Sequence, residues 1–218
     1  MNKPIDPIGK LMGLRYKSHP WHGIDPGPET PETLTCFIEV VPYDTVKYEV
    51  DKATGYLKID RPQKYSNIIP SLYGFIPQTI CDANLAEMTN QALGRTDIVG
   101  DKDPVDICVL TEKDVTHGSL LVKARPIGGF RMIDRNEADD KIIAVLIDDA
   151  VYGDYLDISD CPEAVINRLK HYFLSYKDMP GEKRGCEIPQ IYGREEAHRV
   201  IRATMEDYKN YVEKVMFS

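Results

Sequence analysis

No stretch of this sequence is apolar for long enough to cross a bilayer as a helix, and its start lacks the basic, apolar and small-residue zones of a secretory leader. These absences predict a soluble, cytoplasmic protein with no membrane partner, and Met1 to Asp6 read as a mature start. Cysteine is sparse and odd in number. Cys36, Cys81, Cys108, Cys161 and Cys186 show no paired metal spacing, and Cys36 and Cys108 fall in apolar runs where the thiol acts as a small hydrophobe. That pattern excludes a disulfide framework and predicts a reducing compartment. Basic charge is also short, with 27 Lys and Arg against 35 Asp and Glu and a net charge of −8. A general nucleic-acid binder needs a basic face, and the acidic balance argues against one. A phosphate substrate is not excluded, because bound cations invert the field of a carboxylate cluster. Repeats and low-complexity segments are absent.

The 218 residues suit one well-cored domain, read as 1–218. Residues 1–35 form an irregular lead-in rich in Pro and Gly and carrying His19-Pro20-Trp21-His22-Gly23. The two histidines read as packing or surface groups, since no further ligands converge on them in sequence. From Cys36 the texture changes to short strands, predicted at 36–41, 46–50, 56–60, 105–110, 120–127 and 141–147, with a turn at Ala53-Thr54-Gly55. Residues 82–99 lack an apolar period and read as an insertion loop or flap. Two helices close the chain. The first has Ser159-Asp160 as cap, Pro162 just inside, and Val165, Ile166, Leu169, Tyr172, Phe173 and Tyr176 on one stripe. The second follows Gly193, with Ala197, Val200, Ile201, Thr204, Tyr208, Tyr211, Val212 and Val215 on its apolar side. Strands first and helices last predict an α+β, mainly β fold, a small barrel or curved sheet with helices packed on it.

The sharpest feature is Asp101-Lys102-Asp103-Pro104-Val105-Asp106. Three carboxylates within six residues repel one another unless cations neutralise them. In extended backbone Asp101 and Asp103 would share a side, and Pro104 would re-aim the chain so that Asp106 converges. Oxygen ligands without His or Cys suit magnesium or manganese rather than zinc. A solvated acidic turn is the plain alternative, weakened by Pro104 and the apolar run that follows. A calcium loop of the EF-hand type fails, because Val105 and Asp106 stand where a ligand and a Gly are required. A second acidic group, Asp134, Asp139 and Asp140, precedes Lys141 and a strand, and alone would read as a charged hairpin tip. Glu39 is the sole charge in its strand, Lys47 and Glu49 share a face, and Arg61 suits a bidentate grip on phosphate.

Together these residues resemble family I soluble inorganic pyrophosphatases. The resemblance rests on D-x-D-P-x-D and on Phe37-Ile38-Glu39-Val40, Val46-Lys47-Tyr48-Glu49-Val50, Asp60-Arg61-Pro62, Leu72-Tyr73-Gly74-Phe75, the Asp134 to Lys141 loop and Tyr176-Lys177, in one order over roughly residues 36–184. The lead-in and the 82–99 stretch look like those of a longer bacterial subgroup. Ile69, Lys102 and Arg135 depart from the family pattern. The resemblance implies a small closed OB-type β-barrel with flanking C-terminal helices, hydrolysis of pyrophosphate to two orthophosphates, several Mg2+ ions (or Mn2+), and a homo-oligomer, hexameric in bacterial relatives. It further implies metal ligation by Asp101, Asp106, Asp139 and Asp134, with Glu39 and Glu49 completing the acidic lining. Asp103 would stand beside the attacking water, and Lys47, Arg61, Tyr73, Lys141, Tyr176 and Lys177 would hold phosphate. Two rivals remain from the sequence: an OB-type nucleic-acid module, disfavoured by the acidic balance, and a metal-dependent phosphatase or nucleotide pyrophosphohydrolase.

Overall fold

A computed structural model describes residues 17–177, 181 and 185–217. Ten strands and three helices follow one another as β1 (Leu34–Val40), β2 (Val46–Val50), β3 (Leu57–Pro62), β4 (Leu72–Phe75), α1 (Ala83–Leu93), β5 (Val99–Gly100), β6 (Asp106–Leu110), β7 (Leu120–Asp134), β8 (Glu137–Ala138), β9 (Lys141–Leu146), α2 (Glu163–Ser175), β10 (Cys186–Gly193) and α3 (Arg194–Phe217). The main sheet runs β1-β4-β6-β9-β7, and β7 returns to β1, so five strands close on themselves. The long β7 makes this possible, pairing β1 over Leu120–Ala124 and β9 over Ala124–Phe130. Closure removes the exposed edges that an open sheet would present. The β2–β3 hairpin stands beside the ring as a separate two-stranded sheet.

Most residues of β1, β4, β6 and β9, and of β7 beyond Lys123, are buried on both faces, which explains their near-continuous apolar runs. Ile107, Val109, Ile142 and Ala144 pack with α1 and α3 through Leu85, Ala197, Val200 and Ile201. Their neighbours Cys108, Leu110, Ile143 and Val145 pack toward α2, against Ile166, Leu169 and Phe173. Each fully buried Ile or Leu contributes about 1.5–3 kcal/mol.

Several elements differ from the sequence expectation, among them four strands it did not include, β4, β5, β8 and β10. The 82–99 stretch is not a bare loop, because 83–93 is a helix whose Leu85, Ala86 and Thr89 are buried. Its first-turn N–H groups find their acceptor far along the chain: the Asp207 carboxylate of α3 takes those of Asp82, Asn84 and Leu85 at 3.0–3.2 Å. β7 continues past residue 127 to Asp134 and carries β10 along its far half. Gly128 permits that approach, since a Cβ there would meet the Tyr192 carbonyl at 2.5 Å. Ser159-Asp160 belongs to a short 3₁₀ turn capped by Asp157, and α2 starts beyond Pro162. On α3 the stripe is buried only to Asp207, and Tyr211 and Val215 are exposed.

Candidate active site

Asp106 and Lys141 open β6 and β9 and lie side by side in the parallel pairing of those strands. The charged first residues of two otherwise buried strands therefore meet at one end of the ring. A cavity of about 280 Å³ opens there, and every site residue expected from the sequence lines it. β1 supplies Glu39, β2 Lys47 and Glu49, β3 Arg61, and β4 Tyr73. The 101–103 turn and the start of β6 bring Asp101, Asp103 and Asp106. Asp134 ends β7, Asp139 follows β8, Lys141 opens β9, and Tyr176 and Lys177 follow the last turn of α2.

Asp101 and Asp103 are not presented by extended backbone. Lys102 between them adopts φ 67°, and the Asp103 N–H donates to Asp101 Oδ1 at 2.9 Å. This tight turn, held at the Lys102 N–H by the Cys81 carbonyl, faces both carboxylates to the cavity and turns the Lys102 ammonium out to Asp82. Along 139–141 the strand alternation does the sorting. Asp139 and Lys141 line the cavity, while Asp140 points into the core, where Tyr192 Oη donates to it at 2.9 Å and Arg131 lies at 3.7 Å. Burial pushes Asp140 up to about 7, against the pull of Arg131. The three departures from the family pattern stay off the cavity wall. Ile69 is buried in the apolar cluster around α2, and Arg135 with Asn136, both at positive φ, forms the β7–β8 turn.

The electrostatics is that of anions crowded faster than cations can balance them. Burial, reinforced by Asp139, pushes Asp101 up to about 8. Glu39 is 6% exposed, and burial pushes it to about 8 although its Oε1 accepts the Val50 N–H at 2.6 Å. Burial also raises Asp139, with Lys141 opposing and Asp106 adding to the rise. Lys141 sits between Asp106 and Asp139 and pairs with both. Burial alone would lower its pKa, but the two carboxylates outweigh that and hold it well above the usual lysine value. Tyr73 donates to Asp106, and burial lifts its phenol well above the normal range. Lys177 pairs with Asp134 and outweighs the effect of burial there, so Asp134 is depressed. Lys47 bridges Glu49 at 3.2 Å and Asp60 at 3.5 Å.

This lining fits hard divalent cations. Glu39, Glu49, Asp101, Asp103, Asp106, Asp134, Glu137 and Asp139 contribute eight carboxylates, with no His or Cys on the wall. Among the described residues no three such side chains already form a ligand group. They are spread apart around ammonium groups, and the place that Lys141 takes between Asp106 and Asp139 marks where positive charge is favoured. Sequence reasoning missed Glu137, Lys52, Gln63 and Trp21 on this wall. Glu137 shares the alternation of Asp139 and Lys141 and was open to detection. Lys52 and Trp21 carry no local signal, because their places depend on segments distant in sequence.

A family model described as inorganic pyrophosphatase matches residues 36–209. The inorganic pyrophosphatase of Chlamydia trachomatis serovar L2 is 52% identical over 198 residues, covering 88% of this chain and 95% of that one. The soluble inorganic pyrophosphatase of Oryza sativa subsp. indica is 36% identical over 205 residues, 94% of this chain and 86% of that one. The crystal structure of the Thermus thermophilus inorganic pyrophosphatase superposes with a TM-score of 0.74 at 28% identity, over 88% of this chain and 99% of that one.

Proposed function

The chain belongs to the inorganic pyrophosphatase family, and from that premise we propose how this cavity hydrolyses pyrophosphate. One observation carries the reading: residues chosen from seven separated segments, with acids for cations and bases for phosphate, line one cavity. Asp101, Asp106 and Asp139 would hold the activating Mg2+ ions, Asp134 a further one, and Glu39 and Glu49 complete the acidic lining. Bound divalent cations supply Lewis-acid charge and bring the pKa of water toward neutrality. Asp103 orients the attacking water and takes its proton. Its carboxylate is half exposed, more so than that of Asp139, so water can reach it. Arg61 and Lys47 face each other across the β2–β3 pairing and grip one phosphate. Tyr73, Lys141, Tyr176 and Lys177 hold the other side, placing fixed positive charge and phenol donors where negative charge grows on the leaving phosphate.

The acidic wall also speaks against a nucleic-acid groove, which needs a basic surface with exposed aromatics. Phosphate release from pyrophosphate, ATP and a simple monoester, with magnesium and after chelation, tests the reading. Magnesium-dependent release from pyrophosphate far above the other two is expected, and equal release from the monoester would overturn it. The proposal extends to a single cytoplasmic domain of 1–218 in a homo-oligomer, as in the bacterial members it resembles. Light scattering at a mass above 24.7 kDa checks the assembly.

A further inference from the structure

Among the residues of the cavity wall that have no part in that scheme are Lys52, in the β2–β3 hairpin, and Trp21, in the lead-in. The Lys52 ammonium pairs with Asp103 and lies 5.9 Å from the centre of the Trp21 ring, within range of a cation–π contact. Trp21 is firmly placed. It is 5% exposed, donates Nε1 to the Thr79 carbonyl at 2.8 Å and stacks on His22, whose Nδ1 is 2.8 Å from Tyr208 Oη on α3. The lead-in holds the hairpin at a second point, where His19 Nε2 lies 3.2 Å from the Lys52 carbonyl. Both contacts come from residues that precede the 36–209 region matched by the family model.

This arrangement has a chemical consequence. The Asp103 oxygen that holds the ammonium, Oδ1, is a poor acceptor for a water proton while the pair stands, and both carboxylate oxygens are open to water once it parts. Lys52 can leave. Its side chain is 49% exposed, on a flexible four-carbon stem, and Asp103 is its sole carboxylate partner among the described ion pairs. A phosphate group arriving in the cavity is a denser anion than one carboxylate and competes for the same donors. The Trp21 face favours the cation without supplying a counter-charge, so it keeps the ammonium at the mouth in either state.

We propose that Lys52 is a pyrophosphate-positioning residue, docked on Trp21 and paired with Asp103 Oδ1, which passes to a phosphate oxygen when substrate enters and so frees that carboxylate oxygen for water. This rests on the hydrolysis reading above and on the part Asp103 plays in it.

Trp21 is the sole tryptophan, so the tryptophan emission comes from the ring on which Lys52 docks. Titrating the full chain with inorganic phosphate in excess magnesium should change that emission saturably, and Lys52→Gln should abolish the change. The same substitution should raise KM for pyrophosphate roughly ten- to hundredfold, the worth of one charge-assisted hydrogen bond, with a smaller change in kcat. Lys52→Arg should restore most of the lost affinity. If Lys52→Gln lowers thermal stability but leaves KM and the emission titration as in the parent, Lys52 is only structural and the proposal fails. An unaltered KM in Lys52→Gln beside an inactive Asp103→Asn overturns the proposal alone. A parent chain that releases no phosphate from pyrophosphate removes the hydrolysis reading with it.

Discussion

Around the cavity, each carboxylate is defined by what already occupies its oxygens. Asp106 holds Tyr73 and Lys141, Asp134 holds Lys177, and Glu39 holds a backbone N–H. Asp103 holds only Lys52, on a half-exposed side chain that can move. A carboxylate so lightly held is open to water, and Asp103→Asn is expected to lower kcat roughly 10²- to 10⁴-fold, the usual worth of a general base. Circular dichroism should show the fold retained, and near-normal turnover would remove the assignment. Arg61→Lys keeps the charge and loses the planar fork, so KM for pyrophosphate should rise, on the order of tenfold, in steady-state assays. Most of these residues are legible in the sequence itself, because motif order and strand alternation name them. Lys52 is not. Its partner Asp103 lies 51 residues on, and a hairpin lysine is ordinarily a solvated one.

Between elements, two carboxylates act as clasps. Asp207 on α3 accepts three N–H groups at the start of α1, whose own cap residue Asp82 makes no side-chain capping bond. Asp207→Ala leaves those donors, of which that of Leu85 is buried, without an acceptor and should cost about 1–3 kcal/mol. Denaturant melts should show the loss, and hydrogen exchange should quicken first at Asn84 and Leu85. Asp149, just past β9, accepts from Thr111 Oγ1 at 2.7 Å and from the N–H groups of Glu112, Val151 and Tyr152 at 2.9–3.0 Å. Burial would raise its pKa, but these donors outweigh that and lower it. A depressed carboxylate stabilises the fold above its unfolded value, about 3.9, and that contribution is lost as pH falls through the folded value. Asp149→Asn should therefore cost on the order of 1 kcal/mol at pH 7. The gap from the parent should close as melts are taken below about pH 4. α1 escaped the sequence reading for a related reason: its capping acceptor lies over a hundred residues away, and only three of its residues are buried. β10 escaped because Pro189 and the bulge between Glu187 and Gln190 break the alternation that marks a strand.

At the scale of the whole molecule, the site is a concentration of like charge set on a closed, doubly buried ring. Cations that bind the folded cavity and not the unfolded chain should raise Tm by mass action, by about 2.7 kcal/mol at a hundredfold excess over Kd. For a chain of this size that amounts to roughly 5–10 °C. Adding EDTA to the magnesium-loaded protein should abolish phosphate release and return the melt to its metal-free position, and a melt indifferent to magnesium would contradict the cation site. The sequence by itself determined the strand runs of the ring other than β4, the two C-terminal helices and the chemical kinds of the cavity wall, because alternation, apolar spacing and residue type are local properties. Only the tertiary structure decided that β7 closes the ring and carries β10, that Asp207 starts α1, that Asp140 turns to the core, and that Trp21 and Lys52 stand over Asp103. These depend on contacts between distant segments, whose geometry is set by packing after the chain has folded.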